Sequence, residues 1–165
     1  ARLFRLSISR GRSEITVREE LEQVRHYLII QKMRFKNKFE YTITWDEAAL
    51  EETTVKLIVQ PMAENAINHA IDETQDEALH IAIHAGVTEE EVIFTIEDDG
   101  VGMPPEVVDR LLTAPAGKSG IGVKNVHERI RLAYGEAYGI QVRSVEDEGT
   151  CVTIRLPRRK KGDAV

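Results

Sequence analysis

The sequence predicts a single α/β domain, and three observations support this prediction. With 165 residues, the chain is long enough for one domain with a hydrophobic core. Segments with apolar residues at spacings of three and four are interleaved with segments in which apolar and polar residues alternate, a pattern that indicates helices between strands. One predicted strand, residues 92–96, leads into the acidic, glycine-rich loop Glu97-Asp98-Asp99-Gly100-Val101-Gly102. We expect the domain to be organised around this strand and loop.

Composition excludes several classes of protein. A hydrophobic content of 42% with 30% charged residues is typical of a soluble globular protein. The net charge of −6 argues against nucleic acid as a partner, because proteins that bind the phosphate backbone carry an excess of Lys and Arg. Cys151 is the single cysteine and lies in an alternating run, so we expect a buried hydrophobe in a reducing, cytoplasmic compartment. No apolar run has the ~18 residues that a membrane span requires. Any contact with a membrane would be made by other segments of a longer parent protein.

The first long helix is predicted from a capping signal. Thr16 is the expected N-cap, with Glu19 returning to its amide. Apolar residues then follow a seven-residue rhythm to about Phe35, so this helix requires a partner surface. Its own domain and a second subunit are equally compatible with the pattern. Residues 1–10 read as the tail of an earlier amphipathic helix.

The remaining elements follow from periodicity. Alternation predicts strands at residues 39–45, 79–87, 92–96, 138–145 and 150–156, and helical spacing predicts helices at 54–71, 106–112 and 120–134. Pro61 lacks an amide hydrogen, so the second helix either kinks there or restarts with Pro61 in its first turn. Residues 113–120 are rich in small residues and poorly patterned, which favours a mobile lid.

A polar seam runs beside the apolar stripe of the predicted helix 54–71. Its members are Glu64, Asn65, Asn68, His69 and Asp72. Asparagine is a poor residue for a helix interior, so two along one edge are costly for solvent exposure alone. An asparagine oxygen suits Mg²⁺, which takes few protein ligands and fills its other positions with phosphate oxygens and water. The seam suits a metal–triphosphate site, although taken alone it would be interpreted as a solvated helix face.

Two glycine-containing segments offer contacts for a ligand. Gly100 and Gly102 permit a close approach of backbone, and Asp98 could accept a hydrogen bond from the exocyclic amine of a purine. Taken alone, this segment is also compatible with an ordinary acidic turn. Gly120 and Gly122 open a helix, where free amides and the helix dipole favour phosphate. Neither a P-loop nor a dinucleotide fingerprint is complete in this region.

The order of these segments resembles the ATP-binding domain of the GHKL superfamily, with its Bergerat fold. More narrowly, it is similar to LytS/YesM-type sensor histidine kinases. The resemblance is carried by Gln60-Pro61-Met62-Ala63-Glu64-Asn65-Ala66-Ile67-Asn68-His69 (N box), Asp98-Asp99-Gly100-Val101-Gly102 (G1 box), Gly120-Ile121-Gly122-Val123-Lys124-Asn125-Val126-His127-Glu128-Arg129-Ile130 (G2 box) and Gly149-Thr150. It implies a two-layer α/β (α+β) sandwich, in which a mixed, mostly antiparallel sheet is covered by helices on one face.

The resemblance also implies roles for individual residues. Asn65 would hold Mg²⁺ and Asp98 would recognise the adenine amine, with His69 near the adenine or ribose. Thr150 would lie below the adenine pocket, and Lys118 would contact phosphate from the lid. Other cofactor-binding residues implied by the boxes are Asn68, Gly100, Gly102, Gly120, Ile121 and Gly122. Glu64 would be a general base in hydrolytic relatives.

The implied function is that of a histidine kinase catalytic domain. ATP and Mg²⁺ would be positioned for transfer of the γ-phosphoryl group to a histidine on a helical hairpin. Pro61 stands where many histidine kinases carry Asn or Glu, which argues against efficient hydrolysis. Asn68 replaces a frequent Lys, and no His-Phe-Leu-Phe-Asn phosphoacceptor segment occurs. The alternatives are a hydrolytic ATPase or serine kinase of the same fold, and a degenerate, non-catalytic dimerisation or interaction module.

The resemblance also predicts domain limits and partners. Residues 1–15 would be the tail of the dimerisation and phosphoacceptor region, residues 16–157 the catalytic domain, and residues 158–165 a solvated basic tail. The expected partners are ATP, a second copy of the parent kinase bound through upstream helices, and a cognate response regulator.

Overall fold

The computed structural model describes residues 14–70, 77–113 and 121–159. The elements in these ranges are β1 (Glu14–Thr16), α1 (Val17–Arg34), β2 (Phe39–Trp45), a 3₁₀ turn (Glu47–Ala49), β3 (Thr53–Val55), α2 (Val59–Ala70), β4 (Leu79–Val87), β5 (Glu91–Asp98), α3 (Pro105–Leu111), α4 (Ile121–Tyr134), β6 (Gly139–Val145) and β7 (Gly149–Pro157). The helical segment predicted at residues 1–10, most of the predicted lid, Asp72 and residues 160–165 lie outside the described residues.

Five strands form one mixed sheet in the order β2-β4-β5-β7-β6. β2 pairs in parallel with β4, and the other three pairings are antiparallel. β4 and β5 are joined by the predicted turn at Glu89 and Glu90, while β6 and β7 form the second hairpin. β5 is therefore a central strand, with β4 on one side and β7 on the other.

Helices cover one face of this sheet. Alternate residues of the central strands are buried, and they are Leu79, Ile81, Ile83, Ala85, Val92, Phe94, Ile96, Val152, Ile154 and Leu156. Apolar stripes of α1, α2 and α4 pack over them, since each stripe removes its side chains from water only by facing the sheet. The predicted two-layer α/β sandwich with a mostly antiparallel sheet is confirmed.

The inner face of α1 packs on its own domain. The Thr16 side chain caps the helix by accepting a hydrogen bond from the Glu19 amide at 3.2 Å, as the capping signal predicts. The stripe Val17, Leu21, Val24 and Leu28 is buried, whereas Ile30 and Met33 on the outer side are 58% and 72% exposed. Of the two partner surfaces considered for this stripe, the chain's own domain is the one found.

α2 begins later than predicted. Residues 53–55 are not helical but form β3, which pairs antiparallel with β1 in a separate two-stranded sheet. The helix starts at Val59, so Pro61 lies in its first turn, where its missing amide hydrogen leaves no helical bond unmade. The prediction of helix from residue 54 is therefore wrong, because pairing with a distant strand overrides the local pattern.

The first two residues of the predicted basic tail are docked on the domain. Arg158 contacts the carboxylate of Glu52 through two nitrogens, at 3.0 and 2.9 Å, and the Glu52 side chain is only 2% exposed. The Arg159 guanidinium lies 5.2 Å from the centre of the Tyr134 ring. The expectation of a solvated tail is wrong for these two residues, because Arg158 compensates the buried Glu52 carboxylate and Arg159 lies against Tyr134.

Cys151 is half-buried rather than fully buried. It lies on the strand face opposite the core, where its sulfur is 3.8 Å from a carboxylate oxygen of Glu97. Desolvation is the main cause that raises the pKa of the thiol. The expectation of a buried hydrophobe at this position is wrong, because β7 turns Val152 and Ile154 toward the core and Cys151 away from it.

Candidate nucleotide-binding site

A cleft lies between α2 and the ends of the central strands. The residues that line it are Met62, Asn65, Ala66, His69, Ile96, Asp98, Gly102, Met103, Thr150 and Val152. Five residues that the sequence singled out, Asn65, His69, Asp98, Gly102 and Thr150, are therefore brought to one place from three separate segments.

One wall of the cleft is a face of α2. Met62, Asn65, Ala66 and His69 follow the helical spacing of three, one and three, which puts them on the same side of the helix. Met62 and Ala66 are buried, Asn65 is half-buried, and His69 is exposed at the outer end. Among the described residues, none forms a hydrogen bond with the Asn65 side chain, so its oxygen can accept a bond from, or coordinate, a bound group.

The opposite wall is formed by β5 and β7. Their antiparallel register pairs Asp98 with Thr150 and Ile96 with Val152, so a polar pair lies beside an apolar pair. The Thr150 hydroxyl lies 2.7 Å from the hydroxyl oxygen of Ser144. The result is a surface with one hydrogen-bonding edge and one apolar floor, which suits a flat polar ring such as a purine.

Asp98 is held by backbone amides. The amide of Gly100 donates a hydrogen bond to Asp98 Oδ1 at 3.0 Å, and the backbone of Thr150 also contacts this carboxylate. Desolvation by burial raises the pKa of Asp98, the two backbone contacts oppose that shift, and neighbouring Asp99 adds to it. Its orientation is thus fixed while the carboxylate still lines the cleft.

Glycines are required where the loops cross beside Asp98. Gly102 has a φ of +68°, and a Cβ there would lie 2.0 Å from the carbonyl oxygen of Val145. Gly149 has a φ of +126°, and its Cβ would lie 2.0 Å from the carbonyl oxygen of Asp98. Both residues adopt a backbone conformation that L-residues with side chains avoid. The glycines of these segments therefore serve packing of backbone against backbone.

The first turn of α4 lies next to the start of α2. A Cβ on Gly122 would lie 3.6 Å from the Cβ of Pro61, which is an ordinary contact distance. Gly122 is exposed, in the first turn of a 14-residue helix whose amides are not all used within the helix. Ile121 begins the same helix. This end of α4 therefore has the properties expected of a phosphate contact.

Other predicted site residues lie outside the cleft or outside the described ranges. Asn68 is exposed and Gly100 is buried, and neither residue lines the cleft. Glu64 accepts a hydrogen bond from Gln60 at 3.2 Å on another side of α2. Lys118 and Gly120 lie outside the described residues. Their proposed roles stay predictions.

Several residues of the site were not singled out by sequence reasoning. Ser144 accepts a hydrogen bond from the amide of Met103 at 2.8 Å and donates one to the carbonyl of Gly149 at 3.0 Å, so it ties the two loops together. No pattern marks it, because its partners are distant in sequence. Ile96 and Val152 could have been found as core-facing positions, since alternation predicts the inner face of each strand. Met103 lies between β5 and α3, outside any strand, and no such pattern marks it.

The donor set fits a magnesium ion carried by a phosphate ligand rather than a site made by protein alone. Within the described ranges there is no cluster of three or more His, Cys, Asp and Glu side chains that could hold a metal. Asn65 offers one hard oxygen ligand on the cleft wall, and Mg²⁺ commonly takes only one or two ligands from protein.

Among the described helices, none combines the length and hydrophobicity needed to cross a membrane.

The fold and the cleft define a class of nucleotide-binding α/β domain, in which a polar helix edge faces the end of an antiparallel sheet. A family model described as "Histidine kinase-, DNA gyrase B-, and HSP90-like ATPase" matches residues 51–160. The chain belongs to this ATPase family, as the resemblance to the GHKL superfamily predicts. A second family model, described as "Histidine kinase", matches residues 1–39.

The chain is also similar to curated sensor histidine kinases. It is 37% identical over 159 residues to sensor histidine kinase YesM of Bacillus subtilis (strain 168), covering 96% of this chain and 26% of that protein. It is 31% identical over 156 residues to sensor histidine kinase BtsS of Escherichia coli (strain K12), covering 94% of this chain and 26% of that protein. The narrower likeness to YesM-type kinases is thus confirmed. The chain spans about a quarter of the length of these relatives.

Solved structures support the same fold. The catalytic domain of histidine kinase ThkA in a nucleotide-free form superposes with a TM-score of 0.68 at 17% identity, covering 88% of this chain and 94% of that one. ThkA in complex with response regulator protein TrrA gives a TM-score of 0.63 at 14% identity, covering 91% of this chain and 42% of that one. The predicted fold of a histidine kinase catalytic domain is thus confirmed.

Proposed function

We propose that this chain is the ATP-binding catalytic domain of a sensor histidine kinase and positions Mg–ATP for phosphoryl transfer. The observation that carries the proposal is the meeting of Asn65, Asp98 and Thr150 in one cleft. The fixed carboxylate of Asp98 matches the purine end of a nucleoside triphosphate, and the side-chain oxygen of Asn65 on the opposite helix matches its phosphate end.

In the proposed complex, Asp98 accepts a hydrogen bond from the adenine amine while Ile96 and Val152 contact the ring. Thr150 borders the same end of the cleft, and His69 lies at the outer end of the α2 wall, beside the adenine or ribose.

At the phosphate end, Asn65 holds Mg²⁺, which when bound would neutralise charge on the phosphates. The amides at the start of α4 contact a phosphate, together with Gly120 and Lys118 as predicted from the sequence.

The reaction is transfer of the γ-phosphoryl group to an imidazole nitrogen supplied by another segment. The unprotonated imidazole nitrogen attacks the γ-phosphorus and forms the phosphorus–nitrogen bond. The bond from the γ-phosphorus to the bridging oxygen breaks so that ADP leaves, and the proton on the other ring nitrogen passes to water. The domain itself contributes positioning and charge stabilisation. We also propose that the parent protein dimerises through upstream helices, acts in the cytoplasm and passes its phosphoryl group to a response regulator.

A hydrolytic ATPase is the second candidate within the fold. It requires a base that activates water beside the γ-phosphate. Glu64 is the residue predicted for that role in hydrolytic relatives, but its carboxylate bonds to Gln60 and does not line the cleft. This placement favours the kinase over the hydrolase.

Calorimetric titration tests the proposal. We expect the chain to bind ATP more tightly with Mg²⁺ than in EDTA, and Asp98→Asn to weaken binding of both ATP and adenosine by at least about tenfold, because the amide presents a donor to an amine donor. Asp99→Asn is the matched control, since Asp99 accepts a hydrogen bond from the His80 amide at 2.7 Å and does not line the cleft. Unchanged affinity in Asp98→Asn would contradict the assignment, and absence of any nucleotide binding would favour the non-catalytic module.

Phosphoryl transfer separates the kinase from the ATPase. A histidine hairpin of a YesM-type kinase is added with Mg–ATP, and labelled phosphoryl groups are followed on the hairpin and in solution. Label on the hairpin without steady phosphate release supports the kinase. Steady release of phosphate without label on the hairpin supports the ATPase instead.

A further inference from the structure

Glu20 is a buried carboxylate that the proposed chemistry does not use. It is 1% exposed and lies in the first turn of α1, on the same face as the buried Val17, Leu21 and Val24. Moving a carboxylate out of water is costly unless other groups compensate for the lost hydration. Desolvation accordingly raises the pKa of Glu20, while its backbone hydrogen bonds act in the opposite direction.

The compensation comes from the N-terminus of α2. Oε2 of Glu20 accepts a hydrogen bond from the amide of Leu57 at 3.0 Å, and Oε1 accepts from the amides of Ile58 and Val59 at 2.8 and 2.9 Å. These are consecutive amides at the point where α2 starts, and the first amides of a helix have no partner within it. Glu20 thus caps α2 from another helix, and its charge also complements the positive end of the helix dipole.

A second side chain holds the same segment from the other side. Arg129 of α4 donates hydrogen bonds to the carbonyl of Leu57 at 3.0 Å and to the carbonyl of Lys56 at 2.5 Å. Leu57 has a φ of +58°, a left-handed conformation that is unfavourable for leucine. The entry to α2 therefore keeps an unfavourable backbone conformation between a carboxylate from α1 and a guanidinium from α4.

This entry is close to the polar wall of the cleft. Asn65 lies six residues after Val59 on α2, which corresponds to about 9 Å along the helix axis. Asp98 belongs to the sheet and has no contact with Glu20 or Arg129 among its described hydrogen bonds. A shift of the α2 N-terminus would move Asn65 relative to Asp98, because a short helix moves as a unit.

We propose that Glu20 is a positioning residue for the nucleotide site, which fixes α2 so that Asn65 faces the phosphate end of the ligand bound at Asp98. The inference rests on the proposed function. It separates two contributions to binding: the hydrogen bond to the purine amine comes from Asp98 of the sheet, and the contribution of Mg²⁺ depends on the cap supplied by α1.

The test compares Glu20→Gln with Glu19→Gln, its exposed neighbour in the same helical turn. Titration calorimetry measures affinity for Mg–ATP, for ATP in EDTA and for adenosine. We expect Glu20→Gln to weaken the affinity for Mg–ATP by about tenfold and to reduce the difference in ATP affinity between Mg²⁺ and EDTA. The affinity for adenosine should change by less than about threefold. Glu19→Gln should resemble the wild-type chain in all three titrations.

Hydrogen exchange of the amides of residues 57–59, without nucleotide, gives a readout that does not require binding. We expect faster exchange in Glu20→Gln than in Glu19→Gln. If Glu20→Gln does not fold, Glu20→Asp keeps the charge and shortens its reach, and the same selective loss of the Mg²⁺ gain is expected there.

The outcomes distinguish this inference from the proposed function. A wild-type chain that fails to bind ATP overturns the proposed function and the inference with it. A wild-type chain that binds ATP, with Glu20→Gln or Glu20→Asp binding Mg–ATP equally well, overturns only the inference. If the affinities for Mg–ATP and adenosine are weakened equally, the inference is also overturned, because a general structural role would affect both.

Discussion

Gly149 lies directly against the backbone of Asp98. A Cβ on Gly149 would lie 2.0 Å from the carbonyl oxygen of Asp98 and 3.0 Å from the Cα of Asp99. The contact joins the beginning of β7 to the end of β5, the strand ends that bring Thr150 and Asp98 into the cleft. The close approach of these strand ends is therefore a condition for forming the purine end of the cleft.

Gly149→Ala should disrupt both the fold and the site. The new methyl group meets backbone that cannot move aside, and the φ of +126° is unfavourable for alanine. We expect a loss of more than about 2 kcal/mol in the free energy of unfolding, measured with urea, together with loss of nucleotide binding. Gly135→Ala is the control, because Gly135 has a φ of +104° with nothing within 4 Å of its Cβ. Gly135→Ala should lose only about 1–2 kcal/mol in the free energy of unfolding and keep its affinity for nucleotide. Equal losses in both variants would contradict the steric argument.

Binding of adenosine should depend on the protonation of Asp98. Burial raises the pKa of this carboxyl, so it becomes protonated at a higher pH than an ordinary aspartate does. A protonated carboxyl is a weaker acceptor for the adenine amine, and affinity should fall as the pH is lowered toward this raised pKa. Calorimetry between about pH 4 and 7 measures the ratio of wild-type to Asp98→Asn affinity, which should decrease on acidification.

The effect on stability has the opposite sign. Because the pKa of Asp98 is higher in the folded chain than in the unfolded chain, the folded state binds the proton more readily. Relative to Asp98→Asn, the wild-type free energy of unfolding should therefore increase as the pH falls through the folded pKa. Both pH series, of adenosine affinity and of the free energy of unfolding, are repeated with His69→Gln as a control, because this variant lacks the imidazole that also lines the cleft. A ratio of affinities that does not vary with pH would contradict the role of the carboxylate.

Gly122→Ala should separate stability from binding. Its Cβ would be in ordinary contact with Pro61 at 3.6 Å, and alanine is preferred over glycine in a helix. The free energy of unfolding should stay equal or rise by up to about 1 kcal/mol. If the backbone at Gly122 contacts a phosphate, the methyl group should weaken the affinity for ATP by about tenfold and leave the affinity for adenosine unchanged. Unaltered ATP affinity would place the phosphates away from this turn.

The cleft could be predicted to the extent that local patterns define it. Helical spacing puts Asn65 and His69 on one edge of α2, and the end of an alternating run puts Asp98 at a strand terminus. The glycines near them predicted close contacts of backbone. Thr150 carried no local signal of its own and was included only through the resemblance to the GHKL superfamily.

Contacts between distant segments account for what the sequence did not predict. Glu20 is 38 residues from Ile58, and Arg158 is 106 residues from Glu52. Each looked like an ordinary charged residue, although Glu20 falls on the apolar face of its helix. The start of α2 was misplaced for the same reason, since β3 exists through pairing with β1 and the helix begins where Glu20 caps it.

The pair of Arg158 and Glu52 should contribute strongly to stability. Glu52 is 2% exposed, and Arg158 also donates a hydrogen bond to the carbonyl of Thr88 at 2.8 Å. Arg158→Met leaves the Glu52 carboxylate buried without its cation, so we expect a loss of about 3–5 kcal/mol in the free energy of unfolding. Arg18→Met is the matched control, because Arg18 and Glu51 form a pair that is 53% and 70% exposed and should contribute less than about 1 kcal/mol.

A double-mutant cycle shows whether the loss arises from this pair. Glu52→Gln in the Arg158→Met background removes the uncompensated buried charge, so the double variant should be more stable than Arg158→Met alone. Urea unfolding of the four proteins gives the coupling energy, which we expect to exceed about 1 kcal/mol. A coupling energy near zero would mean that Arg158 stabilises the domain through Thr88 and not through Glu52. Because this pair lies away from the cleft, adenosine affinity should be equal in every variant that remains folded.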